Sequence, residues 1–254
     1  MSHKPRKRFG QNFLKDDAII ARIVEAIRPM PSDRMAEIGP GLGALTVPLL
    51  SILNHLDVIE IDRDIVAHLS KRFPSEKLTI HQRDALKFDF SSLGKNLRVV
   101  GNLPYNISTP LLFHLSEFSD SIRDMHFMLQ KEVVDRMVAE PSTHDYGRLS
   151  VMLQHRFDME KCFEVPPECF NPAPKVDSAI IRMIPLESAE AVDEALFSKI
   201  VAAAFSQRRK TLRNTLKGIL GKEDFVILSI DPQARAENLS ISEFAKIANY
   251  LGEK

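Results

Sequence analysis

The sequence predicts an α/β fold, a doubly wound parallel sheet with helices on both faces, followed by a small all-helical C-terminal domain. Three observations carry this. Short apolar strand patterns alternate with helical ones through the first two thirds of the chain. A glycine turn, Gly39-Pro40-Gly41-Leu42-Gly43, separates a strand pattern from a helical one. Over Asp193–Lys254 only helical periodicity remains.

Bulk properties fit that outline. The chain has 254 residues, 44% hydrophobic and 27% charged, enough for one large domain or for one of ordinary size with an appendage. No apolar run nears membrane-spanning length and no hydrophobic leader follows Met1, so a cytoplasmic, non-membrane protein is expected. Cys162 and Cys169 suit neither a disulfide framework nor a common zinc pattern, and no metal is expected. Net charge is zero, but cations crowd two places. Lys4, Arg6, Lys7 and Arg8 form a basic arm over 1–12; Arg208, Arg209, Lys210, Arg213 and Lys217 crowd a later segment.

In chain order, Asp16-Asp17 open a helix carrying Ile19, Ile20, Ile23, Val24 and Ile27, stopped by Pro29 and Pro31. Strand Met35–Ile38 leads into the glycine turn and a helix over Ala44–Leu53. Strand Asp57–Ile61, helix Ile65–Phe73, strand Leu78–His81 and strand Leu97–Gly101 follow. Helix Pro110–Phe118, strand Met125–Leu129 and helices Glu132–Ala139 and Gly147–Phe157 come next. Met159–Val165 and Ser178–Leu186 are late strands joined without a helix, so they should pair antiparallel at one sheet edge. A linker follows, then helices including Ser206–Leu220 and Ile241–Leu251. On the former, Arg209, Arg213 and Lys217 are four apart and form one basic stripe suited to RNA.

Ligands in doubly wound sheets sit at the carboxyl ends of the strands. Glu37 with Gly39, Gly41 and Gly43, then Glu60, Asp84 with Ala85, and Asn102 all fall at predicted carboxyl ends. Glu60 lies 21 positions past Gly39, where an acid meets a ribose diol. The glycine turn alone satisfies both a dinucleotide and an S-adenosylmethionine pattern. Asp84 tilts toward the latter, since its carboxylate can accept from an adenine amine. Asn102-Leu103-Pro104-Tyr105 tilts further: a carboxamide oxygen beside a bare carbonyl receives both N–H bonds of an amino group, and Pro104 prevents coiling into helix. A nicotinamide dehydrogenase would leave that tetrapeptide without a role.

Four segments stand in order: Arg8–Leu14 (Arg-Phe-Gly-Gln-Asn-Phe-Leu), Glu37–Gly43, Gly101–Asn106 and Phe170-x-Pro172-x-Pro174-Lys175-Val176-Asp177-Ser178. Together they resemble the ribosomal RNA adenine N6,N6-dimethyltransferase family, most closely its bacterial KsgA-type, small-subunit branch. The resemblance implies a Rossmann-like methyltransferase domain and a small helical C-terminal domain; the linker read at Leu186–Val192 puts their bounds at 1–186 and 187–254, the latter expected to contact RNA or the ribosome. It implies dimethylation of two adjacent adenosines in a hairpin near the 3′ end of small-subunit rRNA, with an assembled subunit as the preferred substrate. The partner expected is that rRNA within an assembling 30S subunit, and the chain is expected to act as a monomer. It also implies S-adenosylmethionine contacts at Asn12, Leu14, Gly39, Glu60, Asp84 and Asn102. Asn102, Leu103, Pro104 and Tyr105 are then the catalytic turn, with Tyr105 and Phe170 as stacking faces for a flipped adenine. The plainer alternative makes both rings hydrophobic plugs in proline-rich turns. Competing functions are a non-catalytic ribosome-assembly or RNA-binding factor and an adenine methyltransferase of large-subunit rRNA.

Overall fold

In the computed structural model, residues 12–187 and 192–254 are described. The arm cations Lys4, Arg6, Lys7 and Arg8 lie outside the described residues.

Strand β1 (Phe13–Leu14) precedes helix α1 (Asp17–Ile27), which Asp16 caps by accepting from the Ile19 N–H at 2.9 Å. Then come β2 (Met35–Ile38), α2 (Thr46–Leu50), β3 (Leu56–Ile59), α3 (Arg63–Arg72), β4 (Leu78–His81), β5 (Leu97–Asn102), α4 (Ser108–Ser116) and β6 (Ile122–Gln130). Helices α5 (Lys131–Met137) and α6 (Arg148–Gln154) follow, then β7 (Phe157–Val165), β8 (Phe170–Asn171) and β9 (Ser178–Pro185). Helices α7 (Glu194–Ala204), α8 (Leu212–Thr215), α9 (Lys222–Leu228) and α10 (Ile241–Gly252) complete the chain.

Among the described residues, seven strands form one sheet in the order β4-β3-β2-β5-β6-β9-β7. The first five are parallel, and β9 runs antiparallel to β6. The chain enters at β2, winds outward to β4, and returns to β5 on the other side of β2. The order therefore reverses between β2 and β5, which opens a crevice at their carboxyl ends. All of β2 is buried, as both faces of a doubly wound sheet require. Helices α1, α2 and α3 bring Ile23, Ile27, Leu49, Ile65 and Leu69 into one cluster with Met35, Val58, Val100 and Met128. Gly101 is obligatory for this packing. A Cβ there would sit 2.5 Å from the Ile38 carbonyl oxygen, a backbone atom that cannot swing aside. The predicted late strands β7 and β9 are neighbours at the sheet edge.

The chain divides into two compact units, and not by a single cut at 186. The helical unit comprises Leu186–Lys254 together with Asp135–Asp158, inserted between β6 and β7. Tyr146 and Val151 of the insert share an apolar core with Phe197, Val201, Leu212 and Phe244. The Tyr146 hydroxyl also donates to the Leu239 carbonyl at 3.0 Å.

The predicted helix over Ser206–Leu220 does not form; only α8 is helical there. Thr211 is extended, and the N–H groups of Leu212 and Arg213 bond the carbonyls of Ala234 and Pro232 instead of a preceding turn. Gly218 then adopts φ +83°. Arg209, Arg213 and Lys217 are exposed, but they are not one stripe on one helix.

Candidate active site

A cavity of about 590 Å³ opens at the β2/β5 crevice. Five segments supply its walls: Asn12–Leu14 at β1, Glu37–Gly41 from the end of β2, Glu60 and Ile61 after β3, Asp84 and Ala85 after β4, and Asn102–Ile107 from the end of β5. Gly39 and Gly41 take φ values of +65° and +54°, which the tight turn demands. A Cβ at Gly41 would lie 3.1 Å from the Phe13 ring, so this glycine keeps the loop close to β1.

Two carboxyls are buried in this wall. Glu37 is 2% exposed and Glu60 is 7% exposed. Burial pushes the Glu37 carboxyl up to about 7; the Thr46 hydroxyl, donating at 2.6 Å, opposes the shift, and the nearby Glu60 charge adds to it. Burial also raises Glu60, against the backbone N–H groups of Asp62 and Ile61 that donate to it. Among the described residues no cation is found among the groups acting on either carboxyl. A ligand with an ammonium and a ribose diol supplies what they lack, so the residues present fit S-adenosylmethionine. Asp84 does two things at once. Its Oδ1 accepts from the Leu86 N–H at 3.0 Å, capping a short 3-10 turn, while the residue stays on the cavity wall.

At the acceptor end, Asn102 Nδ2 donates to the Asn12 carbonyl at 3.0 Å, which leaves Oδ1 as an acceptor. The Leu103 N–H donates to the Met128 carbonyl at 3.2 Å, pinning the turn to β6. Tyr105 lines the cavity, and its hydroxyl shares a 2.7 Å hydrogen bond with Ser178 Oγ. Burial raises the phenol above its ordinary value, so it stays neutral.

Asn12, Leu14, Glu37, Gly39, Gly41, Glu60, Asp84, Ala85 and Asn102–Tyr105 thus meet at one cavity. Two predicted residues do not. Gly43 (φ +91°) turns toward Thr46, Leu69 and Arg72, off the cavity wall. Phe170 is 2% exposed and packs with Leu14 and Cys169, because β8 pairs antiparallel with β1 in the register Leu14↔Phe170. Its ring is a core plug with no free face for a base, which corrects the stacking assignment. Sequence reasoning missed Ile61, 48% exposed beside Glu60 on the cavity wall, and gave no role to Ser178, the fully buried last residue of the fourth motif segment. An isoleucine directly after the ribose-binding acid was a usable signal for the first. The second shows only through its partner.

The Glu37 shift sets a pH prediction. Its folded-state value lies above its ordinary one, so the fold binds an extra proton between about 4.5 and 7 and loses that stabilisation as pH rises through this window. Glu37→Gln keeps an oxygen for Thr46 and should remove the component. The melting-temperature difference between variant and parent should move in the variant's favour from pH 5 to pH 8, read by circular dichroism.

Comparison with known proteins points one way. The family described as "Ribosomal RNA adenine dimethylase" matches residues 2–253. The chain is 66% identical over 253 residues to "Ribosomal RNA small subunit methyltransferase A" of Nitrosospira multiformis, covering 99% of this chain and 98% of that one. It is 63% identical over 254 residues to the protein of the same name from Thiobacillus denitrificans, covering 99% and 100%. Among solved structures, a dimethyladenosine transferase from Plasmodium falciparum superposes with a TM-score of 0.81 at 28% identity, over 95% of this chain and 98% of that chain. The 23S rRNA methyltransferase ErmE shares the fold, with a TM-score of 0.73 at 24% identity over 95% and 100%.

Proposed function

The chain belongs to the ribosomal RNA adenine dimethylase family, and from that premise we propose that it dimethylates N6 of two adjacent adenosines near the 3′ end of small-subunit rRNA. The methyl donor is S-adenosylmethionine, whose electrophilic methyl sits on a sulfonium that departs as a neutral thioether. One observation supports the assignment above the others: the glycine turn, two buried carboxyls and the Asn102–Tyr105 turn border a single cavity.

An exocyclic adenine amine is a weak nucleophile because its lone pair is delocalised into the ring. In the first transfer Asn102 Oδ1 and the Leu103 carbonyl accept its two N–H bonds and turn the lone pair toward the methyl. Each transfer then releases one proton from the alkylated amine to water, and one N–H remains to be held in the second. Pro104 fixes the turn, and the Tyr105 ring offers a stacking face to the flipped base. Positioning supplies most of the acceleration, since the transfer needs no strong base. On the cofactor side Glu37 faces the ammonium, Glu60 the ribose diol, and Asp84 with the Ala85 N–H the adenine edge. Ile61 gives that ring an apolar wall.

The wider context is our reading too: a cytoplasmic monomer acting on an assembling 30S subunit. Among the described residues no helix is long and apolar enough to cross a membrane. The arm cations and the exposed Arg209, Arg213 and Lys217 are proposed to contact RNA phosphates. Neutralising several phosphates makes affinity fall steeply with salt, by about a thousandfold between 50 and 200 mM for six contacts. Affinity for undermethylated small subunits, measured across that range, should show this dependence; a flat profile would remove the electrostatic role. The function itself is tested by incubating undermethylated small subunits with labelled S-adenosylmethionine and analysing nucleosides. Dimethyladenosine in small-subunit rRNA is the expected product. Label in large-subunit rRNA or in protein would overturn the proposal.

A further inference from the structure

We propose that Ser178 is a positioning residue for the methyl-acceptor site, holding the ring of Tyr105 in its base-stacking plane. This rests on the reading of Tyr105 as a stacking face. Ser178 closes the proline-rich segment after Phe170, whose ring the structure buries, so the segment's contribution to the site is left to be explained by other atoms.

The geometry is specific. Ser178 is the first residue of β9, is fully buried, and stands in register with Gln130 at the carboxyl end of β6. The residue before it accepts the Lys131 N–H at 2.9 Å through its carbonyl, so the start of β9 is tied to the end of β6 at two successive positions. Strand β6 lies between β5 and β9, and β9 runs antiparallel to it. The carboxyl ends of β5 and β6 and the amino end of β9 therefore share one sheet edge. Tyr105, on the turn after β5, reaches across the end of β6 to place its hydroxyl 2.7 Å from Ser178 Oγ.

The near end of Tyr105 is pinned as well. Its carbonyl accepts from the Ser108 hydroxyl at 3.2 Å, and the neighbouring Leu103 N–H is bonded to β6. An aromatic side chain has two rotatable bonds. Fixing its backbone at one end and its hydroxyl at the other leaves the ring one plane in which to meet a base. Without the hydroxyl contact, part of each binding event goes into selecting that plane, which slows transfer and leaves cofactor binding unchanged.

Ser178→Ala, Tyr105→Phe and the double variant, with Tyr105→Ala alongside, decide it in steady-state methyl transfer to undermethylated small subunits. Losing one neutral hydrogen bond should lower kcat about five- to tenfold in each single variant. The KM for S-adenosylmethionine should hold, and the double variant should be no worse than either single. Tyr105→Ala should cost roughly ten- to a hundredfold. An inert Tyr105→Ala would overturn the stacking reading itself. A damaging Tyr105→Ala with inert Ser178→Ala and Tyr105→Phe would leave stacking standing and overturn the positioning role. Losses from Ser178→Ala and Tyr105→Phe that multiply in the double variant would also overturn it, since Ser178 would then act through something other than the tyrosine hydroxyl.

Discussion

Replacing Asn102 with alanine should lower methyl transfer by about a hundredfold or more, equivalent to about 3 kcal/mol, by analogy with a lost oxyanion-hole donor. The variant deletes a preset acceptor. Because Asn102 Nδ2 is already committed to the Asn12 carbonyl, Oδ1 needs no reorientation when the amine arrives. Asn102→Asp separates the two halves of that argument. It retains acceptor oxygens and removes the donor, setting a carboxylate against the Asn12 carbonyl. If acceptance alone matters, the aspartate variant keeps most of the activity; if orientation by Asn12 matters, it falls toward the alanine variant. Calorimetry with S-adenosylmethionine should show a smaller loss in cofactor binding, for which Asn102 is also an expected contact, than in transfer. Transfer at the parental rate in Asn102→Ala, with the fold intact, would sink the acceptor assignment.

What the sequence made legible follows from how local each signal is. The glycine turn, Glu60, Asp84 and Asn102 could be read because each is a distinctive residue at the end of an apolar strand run, and the parallel order brings all those ends to one edge. Leu78–His81 and Met35–Ile38 are found where the pattern puts them, since both are bounded by turn residues. Phe170 misled because its fate depends on pairing with β1, more than 150 positions earlier. The helix over Ser206–Leu220 misled because its backbone donors are claimed by Pro232 and Ala234. Periodicity also assigned 135–158 to the sheet domain, because nothing local reveals that Tyr146 and Val151 share a core with α7 and α10. Asn12 acting through its backbone carbonyl has no side-chain signature at all.

Arg98 was invisible for the same reason, and it carries the largest expected effect on stability. It sits on central strand β5, 5% exposed, where a charge would ordinarily be excluded. Its Nε donates to Asp124 at 2.9 Å, one terminal nitrogen donates to Asp33 at 2.6 Å, and the other donates to the Ile27 carbonyl at 2.6 Å. The guanidinium therefore closes the C-terminus of α1 as well as two carboxylates. Arg98→Met should cost on the order of 3–5 kcal/mol, because it strands buried charge and unpaired helix carbonyls together. That is a large share of the 5–15 kcal/mol typical of a folded domain. Urea unfolding followed by circular dichroism reads it, since the chain has no tryptophan. Its pH dependence has a definite sign. Burial alone would raise Asp33, but the Met30 N–H and the Arg98 guanidinium outweigh it and hold the carboxyl below its ordinary value. Stability from that pairing is present above the ordinary carboxylate range and is lost as pH falls through the depressed one. The gap between parent and variant should therefore be widest near neutrality and narrow in acid. Arg98 lies at the amino half of β5 and Asn102 at its carboxyl end. At temperatures where both proteins remain folded, Arg98→Met should thus keep its kcat, while Asn102→Ala should lose activity with a stability loss of only about 1 kcal/mol, that of the hydrogen bond to Asn12. A parallel loss of kcat in both variants would mean that the support of β5 and the aim of its last residue are not separable.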